Sequence, residues 1–400
     1  MREKSICKVL IMRVASRCNL NCTYCYMYNV GDESFKNQPK FMSIDTVDKV
    51  IEQVRLHCET NDLKSFEFIF HGGEPMLISK EFYRYFVEQA KEKLPSKTKL
   101  LFAIQTNGIL LSEEWCKVFS ELKIELGISI DGYQESHDKY RLNHHGGGSF
   151  RSVMQGFKIA SESAYLRKIP GVLSVINIQS DAEKFFYFLK EYKIQLIDFL
   201  LPDCSYEKLP LGYEDGINDR TLYADWLIIL FDYWFTDKTN NPQIIFFEQL
   251  VKIIIGIDEG FEYIGNRKAE FLTIETDGSI EVTGSFKVCG DGFTKKGYNI
   301  HTNTLDESLE DDLAQRYING HENLCSKCQA CPIVEVCGGG FVAHRYSKHN
   351  DFDNPSVYCL DLMKLITHVQ NKVLDYLPSE LVEENELTYL SFEELKHNNI

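Results

Sequence analysis

Short apolar runs of high β-propensity alternate with amphipathic stretches of helical period through the first half of the chain. The apolar runs are residues 6–14, 66–70, 99–106, 124–130, 171–176 and 196–201. Two intervening stretches, 43–58 and 79–94, begin at Ser43 and Ser79, which are suited to cap a helix. Apolar strands that alternate with helices form a parallel sheet covered by helices. Six such units predict an α/β fold, a partial (β/α)6 barrel of the TIM type.

A loop with three cysteines follows the first predicted strand. Cys18, Cys22 and Cys25 are separated by three and then two residues, and no fourth cysteine lies nearby. In parallel α/β folds the active site lies in the loops at the carboxyl ends of the strands. A closed zinc site needs four ligands, whereas three thiolates can bind three irons of a 4Fe–4S cube. The loop is therefore predicted to hold an iron–sulfur cluster whose fourth iron is open to another ligand.

The loops after the next three predicted strands also offer groups that could bind a ligand. They contain HGGEP (71–75), QTNG (105–108) and SIDG (129–132). Glycines let the backbone approach a ligand closely, and Glu74 and Asp131 supply carboxylates. Each segment alone is also typical of a tight turn, and Ser149 is expected to cap the next helix. Their occurrence at one edge of the sheet favours a binding site.

The composition limits the classes of function. The net charge of −16 argues against nucleic-acid binding, because such proteins present basic surfaces to phosphates. No apolar run approaches the ~20 residues that cross a bilayer, and no secretion signal opens the sequence. We therefore expect a cytoplasmic protein without a membrane partner. In that compartment its 13 cysteines are expected to be metal ligands or small buried residues.

A second group of cysteines lies far downstream, in CSKCQACPIVEVC (325–337) and at Cys359. Two overlapping Cys-x2-Cys pairs with another cysteine close behind are a strong signal for a metal site. Four or five thiolates so spaced would suit zinc or an iron–sulfur cluster. The sequence thus predicts a second metal centre, separate from the first.

The three-cysteine loop and the strand-end motifs resemble those of the radical S-adenosylmethionine (SAM) enzymes. The resemblance implies that the open iron binds SAM and that electron transfer cleaves SAM to a 5′-deoxyadenosyl radical. It also implies that Tyr24 lies near the adenine, that Ser129 and Asp131 contact the ribose, and that Arg141 binds the carboxylate. The glycine-rich motif would surround the amino group. The predicted SAM-binding residues are Tyr24, Gly72, Gly73, Glu74, Pro75, Gln105, Asn107, Ser129, Asp131, Arg141 and Leu173.

The downstream cysteines resemble the SPASM extension of radical SAM enzymes, which carries auxiliary 4Fe–4S clusters and acts mostly on peptides. The ligands that this resemblance implies for one auxiliary cluster are Cys328, Cys331, Cys337 and Cys359. The full pattern has a further cysteine four residues after Cys337, where this chain has Phe341. Cys289 and Cys325 are further candidates, as ligands of a second auxiliary cluster.

A closer resemblance is to the SPASM enzymes that form cyclophanes in ribosomally made peptides. The segments that suggest it are RLNHHGGGSF (141–150), LLPD (200–203), ETDGSIE (275–281), CGGGFVAHRY (337–346) and NPSVYC (354–359). It implies abstraction of a side-chain β-hydrogen, followed by a carbon–carbon bond from that carbon to an aromatic ring. The enzymatic alternative is another SPASM reaction, either thioether formation or oxidation of a protein serine or cysteine to formylglycine. An alternative of another class is a zinc-binding interaction module without catalysis.

The resemblance also implies partners, namely a ribosomally synthesised precursor peptide and an electron donor such as flavodoxin or ferredoxin. Asp203, at the end of the sixth predicted strand, is a candidate to contact the substrate or take the ring proton. An aspartate at that position is equally typical of a loop cap. The predicted modules are a barrel (1–210), a helical bridge (211–270), an auxiliary-cluster domain (271–365) and a helical tail (366–400).

Overall fold

The structure is a computed structural model that describes residues 4–214, 219–239, 241–258, 260–384 and 388–398. The chain forms two compact units. The first consists of Met1–Ser174 and Glu270–Ile318, and the second of Val175–Ala269 and Asn319–Ile400. Within the described ranges, none of the helices is both long and apolar enough to span a membrane.

The order of strands and helices follows the alternation seen in the sequence. The strands are β1 (Val9–Ala15), β2 (Ser65–Gly72), β3 (Lys99–Thr106), β4 (Ile124–Ser129), β5 (Gly171–Val175), β6 (Leu196–Leu200), β7 (Gln243–Ile244), β8 (Gly260–Phe261), β9 (Ile264–Gly265), β10 (Phe271–Ile274) and β11 (Ile280–Glu281). The helices are α1 (Ile44–Thr60), α2 (Lys80–Lys93), α3 (Glu113–Leu122), α4 (Gln134–Tyr140), α5 (Phe150–Glu162), α6 (Ala182–Glu191), α7 (Leu222–Thr236), α8 (Ile245–Ile254), α9 (Leu305–Leu309), α10 (Asp312–Ile318), α11 (Ser326–Gln329), α12 (Val334–Cys337), α13 (Cys359–Asp375), α14 (Ser379–Glu384) and α15 (Phe392–Asn398). Short 3-10 helices cover Ser34–Asn37, Pro75–Leu77, Gly284–Cys289 and Val342–Arg345.

β1 lies between two parallel neighbours in the sheet of the first unit. Val9 of β1 is opposite Glu67 of β2 on one side and Phe271 of β10 on the other. β3, β4 and β5 follow β2 in order, and all of them are parallel. β11 pairs antiparallel with β10 at the other edge. The predicted parallel α/β arrangement is therefore confirmed, and β10 is an addition that the alternating pattern did not indicate.

Apolar side chains on the helix-covered face of this sheet form the core of the first unit. Phe68 and Phe70 of β2 pack on Phe86 of α2, with ring centroids 5.1 and 5.0 Å apart. α1 buries residues spaced three and four apart, which is the period of a helix with one face on the sheet: Val47, Val50, Ile51 and Val54. This burial fixes the strand ends in register, and the site is built on those ends.

The predicted serine caps have different outcomes. Ser43 caps α1 as expected, because its hydroxyl accepts the N–H of Thr46 at 3.0 Å. Ser79 has an extended N-cap backbone, but its side chain makes no capping bond to any described residue. Ser149 donates instead to Arg141 O at 2.6 Å, and Asp138 accepts the first helical N–H of α5 at 2.7 Å. The expectation for Ser149 was therefore wrong, because its hydroxyl bonds Arg141 O and the His137 ring instead of a helical N–H.

The second unit is mainly helical. β6 and β7 pair in parallel, and α7 packs against both α6 and α13. α12, which ends at Cys337, contacts β9 and α13. The downstream cysteines 325–359 thus lie in this unit, whereas residues 270–318 belong to the first unit through the pairing of β10 with β1. Residues of the predicted 271–365 module occur in both units, and the predicted division into modules stays a prediction.

Candidate active site

The three-cysteine loop leaves the carboxyl end of β1, as predicted. Cys22 is buried, and Cys18 and Cys25 are half-buried. Cys25 N donates to Cys22 O at 3.0 Å, so the second and third cysteines lie on one tight turn. Burial is the largest of the causes that raise the pKa of Cys18 to about 12 and that of Cys25 to about 11. Neighbouring thiols contribute to both shifts. Thiols in such a dry setting ionise when a metal neutralises them, so this set fits an iron–sulfur cluster.

Backbone hydrogen bonds fix the loop against the segment that follows α4. Asn21 N donates to Leu142 O at 2.7 Å, and Thr23 N donates to Tyr140 O at 2.9 Å. The residue between those two acceptors is Arg141. The cysteines and the predicted carboxylate-binding arginine are therefore held in one local structure.

The two glycines after β2 are required by the close approach of the cysteine loop. A Cβ at Gly72, whose φ is +151°, would overlap Ala15 O. A Cβ at Gly73 would overlap the hydroxyl of Tyr28 and Arg17 O. The N–H of Gly73 donates to Ala15 O at 2.8 Å, which joins the end of β2 to the start of the loop. These glycines thus let two strand ends meet at the predicted SAM site.

Glu74 is fully buried and connects the ends of β2 and β3. Its carboxylate accepts from Met76 N at 2.9 Å, from the Thr106 hydroxyl at 2.6 Å and from Asn107 N at 2.8 Å. Burial raises the pKa of Glu74, and these donors act in the opposite direction. Pro75 opens the short helix that turns the chain beneath it. The predicted contact of this motif with the SAM amino group stays a prediction.

Tyr24, Asp131 and Arg141 form a buried chain of side chains. The Tyr24 hydroxyl donates to Asp131 Oδ2 at 2.5 Å, and Arg141 Nη1 donates to the Tyr24 hydroxyl at 2.7 Å. Arg141 is only 8% exposed, and its Nε has no hydrogen-bond partner among the described residues. A buried guanidinium N–H without an acceptor is costly unless a ligand supplies one. This geometry fits the predicted capture of a carboxylate by Arg141.

The remaining predicted SAM contacts lie along the ends of β3, β4 and β5. Gln105 Nε2 donates to the Ser129 hydroxyl at 3.0 Å, and Leu173 of β5 is opposite Ser129 in the sheet. Asn107 Nδ2 donates to Asn19 Oδ1 at 2.7 Å, which links the end of β3 to the cysteine loop. The predicted residues of the first unit therefore lie on connected strand ends. Their individual roles toward SAM stay predictions.

The sequence reasoning missed a buried arginine next to this site. Arg13 of β1 donates to the Tyr26 hydroxyl at 2.5 Å and to Gly72 O at 3.3 Å. Its Nη1 is also 3.0 Å from His71 Nδ1. The available signal was the charge of Arg13 near the end of the apolar run 6–14, because a buried charge in a central strand needs polar partners.

The downstream cysteines line one pocket in the second unit. The four cysteines of that pocket are Cys328, Cys331, Cys337 and Cys359. Burial raises the pKa of Cys337 and of Cys359 to about 12, and neighbouring thiols add to each shift. Cys325 lies close enough to Cys328 to bond its sulfur. The four predicted ligands of the auxiliary cluster are therefore brought together, with a fifth thiol beside them.

Three glycines after Cys337 and a buried arginine shape this pocket. Gly338, Gly339 and Gly340 all have positive φ, at +61°, +77° and +69°. Arg345 donates to the carbonyl oxygens of all three, at 3.0, 2.9 and 2.6 Å. The guanidinium thus supplies hydrogen bonds to glycine carbonyl oxygens that belong to no helix or strand. It also brings positive charge near the thiols.

The other candidates occupy different places. Cys289 is buried in the first unit, so it belongs to a different unit from Cys325. Asp203 follows β6 in the second unit and is half-buried. The ring of the buried His344 bonds the Pro202 backbone, and burial lowers its pKa to about 3. The roles of these residues stay predictions.

Single-ion metal sites have little support in this structure. Across the described ranges, no three His, Cys, Asp or Glu side chains are grouped to hold one metal ion. A 4Fe–4S cube takes one thiolate at each iron, so its ligands stand farther apart than those of a zinc ion.

The fold and the three-thiol loop define a class of enzyme. Residues 12–183 match the Radical SAM superfamily. The protein is therefore a SAM-dependent iron–sulfur enzyme, and that prediction is confirmed against the zinc-module alternative. The predicted cofactors, SAM and iron–sulfur clusters, are those of this class of enzyme.

Relatives in other organisms match nearly the whole chain. The cysteine-type anaerobic sulfatase-maturating enzyme of Clostridium novyi (strain NT) is 28% identical over 356 residues, which cover 88% of this chain and 92% of that protein. The serine-type anaerobic sulfatase-maturating enzyme of Bacteroides thetaiotaomicron is 26% identical over 394 residues, covering 94% and 92%. Among solved structures, native anSMEcpe with bound AdoMet and Cp18Cys peptide has a TM-score of 0.78 at 24% identity, covering 92% and 98%. These structural matches support the radical SAM α/β fold.

Proposed function

We propose that this protein is a peptide-modifying radical SAM enzyme that oxidises a serine or cysteine of a sulfatase to formylglycine. The observation that supports it most is the match, over most of the chain, to sulfatase-maturating enzymes of both the cysteine and the serine type. The match spans both compact units and not only the radical SAM domain. Among the reactions predicted from the sequence, this alternative has better support than cyclophane formation.

The residues of the first unit bind and orient SAM in this proposal. Cys18, Cys22 and Cys25 would hold the cluster, and SAM bound to it would supply the radical chemistry for oxidation of the target residue. Arg141 holds the SAM carboxylate, and Tyr24 keeps the guanidinium in place through its 2.7 Å hydrogen bond. Because Arg141 is buried, water is excluded and the ion pair between Arg141 and the SAM carboxylate is strengthened.

The second unit provides the four-thiol pocket, which would hold the auxiliary 4Fe–4S cluster of the proposed enzyme. With four thiolates, each iron of one cube has a protein ligand. Arg345 keeps this pocket in shape through its bonds to the three glycine carbonyls. A flavodoxin or ferredoxin would supply the electron that starts the reaction.

The products of the competing reactions differ in atoms, and this difference provides the test. Oxidation of serine to formylglycine removes two hydrogen atoms and leaves an aldehyde, and oxidation of cysteine also replaces its sulfur with oxygen. A cyclophane also loses two hydrogen atoms, but it contains no aldehyde.

The experiment uses anaerobically reconstituted protein, SAM and a chemical reductant. The substrates are three matched peptides spanning the maturation site of a sulfatase, with cysteine, serine or alanine at the target. We expect a product that reacts with a hydrazide probe from the cysteine or serine peptide and none from the alanine peptide. A product that has lost two hydrogens without reacting with the hydrazide would refute formylglycine formation and support the cross-link.

A further inference from the structure

A buried group of charged side chains in the first unit contacts the three-cysteine loop, and the proposed function does not use it. We call it the buried charge network, and its members are Arg13, Asp32, Glu275, Glu281, Lys287 and Lys295. Five of the six are at most 2% exposed, and only Lys295 reaches solvent, with 29% of its side chain exposed. Charges are rarely placed so deep unless they serve one another or a ligand.

One end of the network bonds directly beside the third cysteine. Arg13 donates to the hydroxyl of Tyr26, the residue that follows Cys25. It also donates to Gly72 O, in the glycine motif of the predicted SAM site. Gly284 packs on this pair so tightly that a Cβ there would overlap both Arg13 and Tyr26. The guanidinium thus holds the cysteine loop, the end of β2 and the segment after β11 together.

The charge of Arg13 is not neutralised by the groups that bond it. Its hydrogen-bond partners within the described chain are the hydroxyl of Tyr26, the carbonyl of Gly72 and the imidazole of His71. Burial and, to a smaller extent, the charge of Arg13 lower the pKa of His71 to about 3, so this imidazole is neutral at physiological pH. None of the three is a carboxylate, and Glu275 and Glu281 act on Arg13 only through longer-range electrostatics in the low-dielectric interior.

The carboxylates of the network lie around Lys287. Its Nζ is 3.3 Å from Glu281 Oε2, 3.6 Å from Glu275 Oε1 and 3.8 Å from Asp32 Oδ1. Lys295 adds a second cation 2.7 Å from Glu281 Oε1. Asp32 also accepts the N–H of Ser34 at 2.9 Å, which fixes the chain just beyond the cysteine loop. Arg13 therefore lies beside the third cysteine, whereas the three carboxylates surround Lys287, and one of them, Asp32, lies just beyond the cysteine loop.

We propose that Arg13 is a positioning residue that sets the reduction potential of the cluster on the cysteine loop, and that the network carboxylates oppose its effect. Reduction adds one electron, and hence one negative charge, to the cluster, and the electron comes from the reductant. A buried positive charge nearby stabilises the reduced form, and a buried negative charge destabilises it. The inference rests on the assignment of Cys18, Cys22 and Cys25 to the cluster. It is independent of which peptide the enzyme modifies.

The test is a redox titration of the reconstituted holoenzyme followed by electron paramagnetic resonance. The signal that changes on addition of SAM identifies the cluster on the cysteine loop. Arg13→Met should make this cluster harder to reduce, with at least a tenfold change in the ratio of reduced to oxidised form, or about 59 mV for one electron. Glu281→Gln should shift the potential in the opposite direction. The potential is measured without a peptide, so it separates this inference from the proposed function.

Two further variants distinguish an electrostatic role from a merely structural one. Arg13→Lys keeps the charge and should keep the potential near that of the parent protein. Arg84→Met removes an exposed arginine of α2, which pairs with Glu121 at 2.7 Å, and should leave the potential unchanged. The proposal would be overturned if the reduction potential shifted in the same direction in Arg13→Met and Glu281→Gln. It would also be overturned if both variants kept the cluster and its response to SAM but neither potential shifted. If Arg13→Met does not fold, the Glu281→Gln variant alone tests the proposal. Its cluster should then have a higher reduction potential than that of the parent protein, and an unchanged or lower potential would overturn the proposal.

Discussion

Replacement of Arg141 with alanine is expected to weaken SAM binding while iron stays bound. Arg141 is 8% exposed, and its Nε has no acceptor within the described chain, so the SAM carboxylate is its expected partner. A hydrogen bond to a charged group contributes about 1.5–3 kcal/mol. Loss of one such bond corresponds to an affinity roughly tenfold to one-hundredfold lower.

The assay is equilibrium binding of SAM to the anaerobically reconstituted protein, with iron content measured on the same samples. Tyr24→Phe is the matched control, because it removes the hydroxyl between Arg141 and Asp131 but keeps the ring and both charges. Because the Tyr24 hydroxyl bonds Arg141 and Asp131 and is not proposed to bond the SAM carboxylate, this variant should lose less SAM affinity than Arg141→Ala.

Two results would refute this reasoning. Unchanged SAM affinity in Arg141→Ala would remove the residue from the binding site. Loss of iron together with affinity would mean that Arg141 supports the cysteine loop, which is bonded to the residues on either side of it.

Four further changes test the two thiol groups and the glycine motif. Alanine at all three cysteines of the loop after β1 should abolish 5′-deoxyadenosine formation and remove about four irons per chain. Cleavage at the parental rate would refute the assignment. Cys337→Ala should remove the other approximately four irons and leave SAM affinity unchanged, and lost affinity would contradict separate sites. Gly73→Ala should lower the thermal midpoint of the holoenzyme, because its Cβ would overlap Tyr28 and Arg17, and an unchanged midpoint would contradict that close contact. Glu74→Gln removes an acceptor from at least one of three buried donors and should cost about 1–3 kcal/mol in a denaturant titration, whereas equal midpoints would show that the carboxylate is dispensable.

The parts of the fold that local sequence patterns specify were predictable. The strand runs were located to within a few residues because continuous apolar segments mark buried parallel strands. Ser43 was identified as a cap because capping depends on a residue only three positions away. The position of the three-cysteine loop followed from the same logic, since the loop comes directly after β1.

Features that depend on distant parts of the chain were not predictable from those patterns. Nothing near residues 271–274 indicates that they pair with β1, because the pairing depends on a strand made much earlier. The bonds of Glu74 to the end of β3, and those of Arg13 to Tyr26 and Gly72, likewise join residues far apart in sequence. Ser149 failed as a cap because its hydroxyl bonds Arg141 O and the His137 ring, which are 8 and 12 residues away in sequence.

The pairing of β10 with β1 has a consequence for biosynthesis. Val9 and Phe271 are partners although the ribosome makes them roughly 260 residues apart. At about 5–20 residues per second, the thiols of the cysteine loop exist for roughly 13–50 s before β10 and the segment around Gly284 can close on them. Iron–sulfur loading during that interval would meet a loop without its covering segment. The cysteine loop can therefore acquire its covering segment only after most of the first unit has been translated.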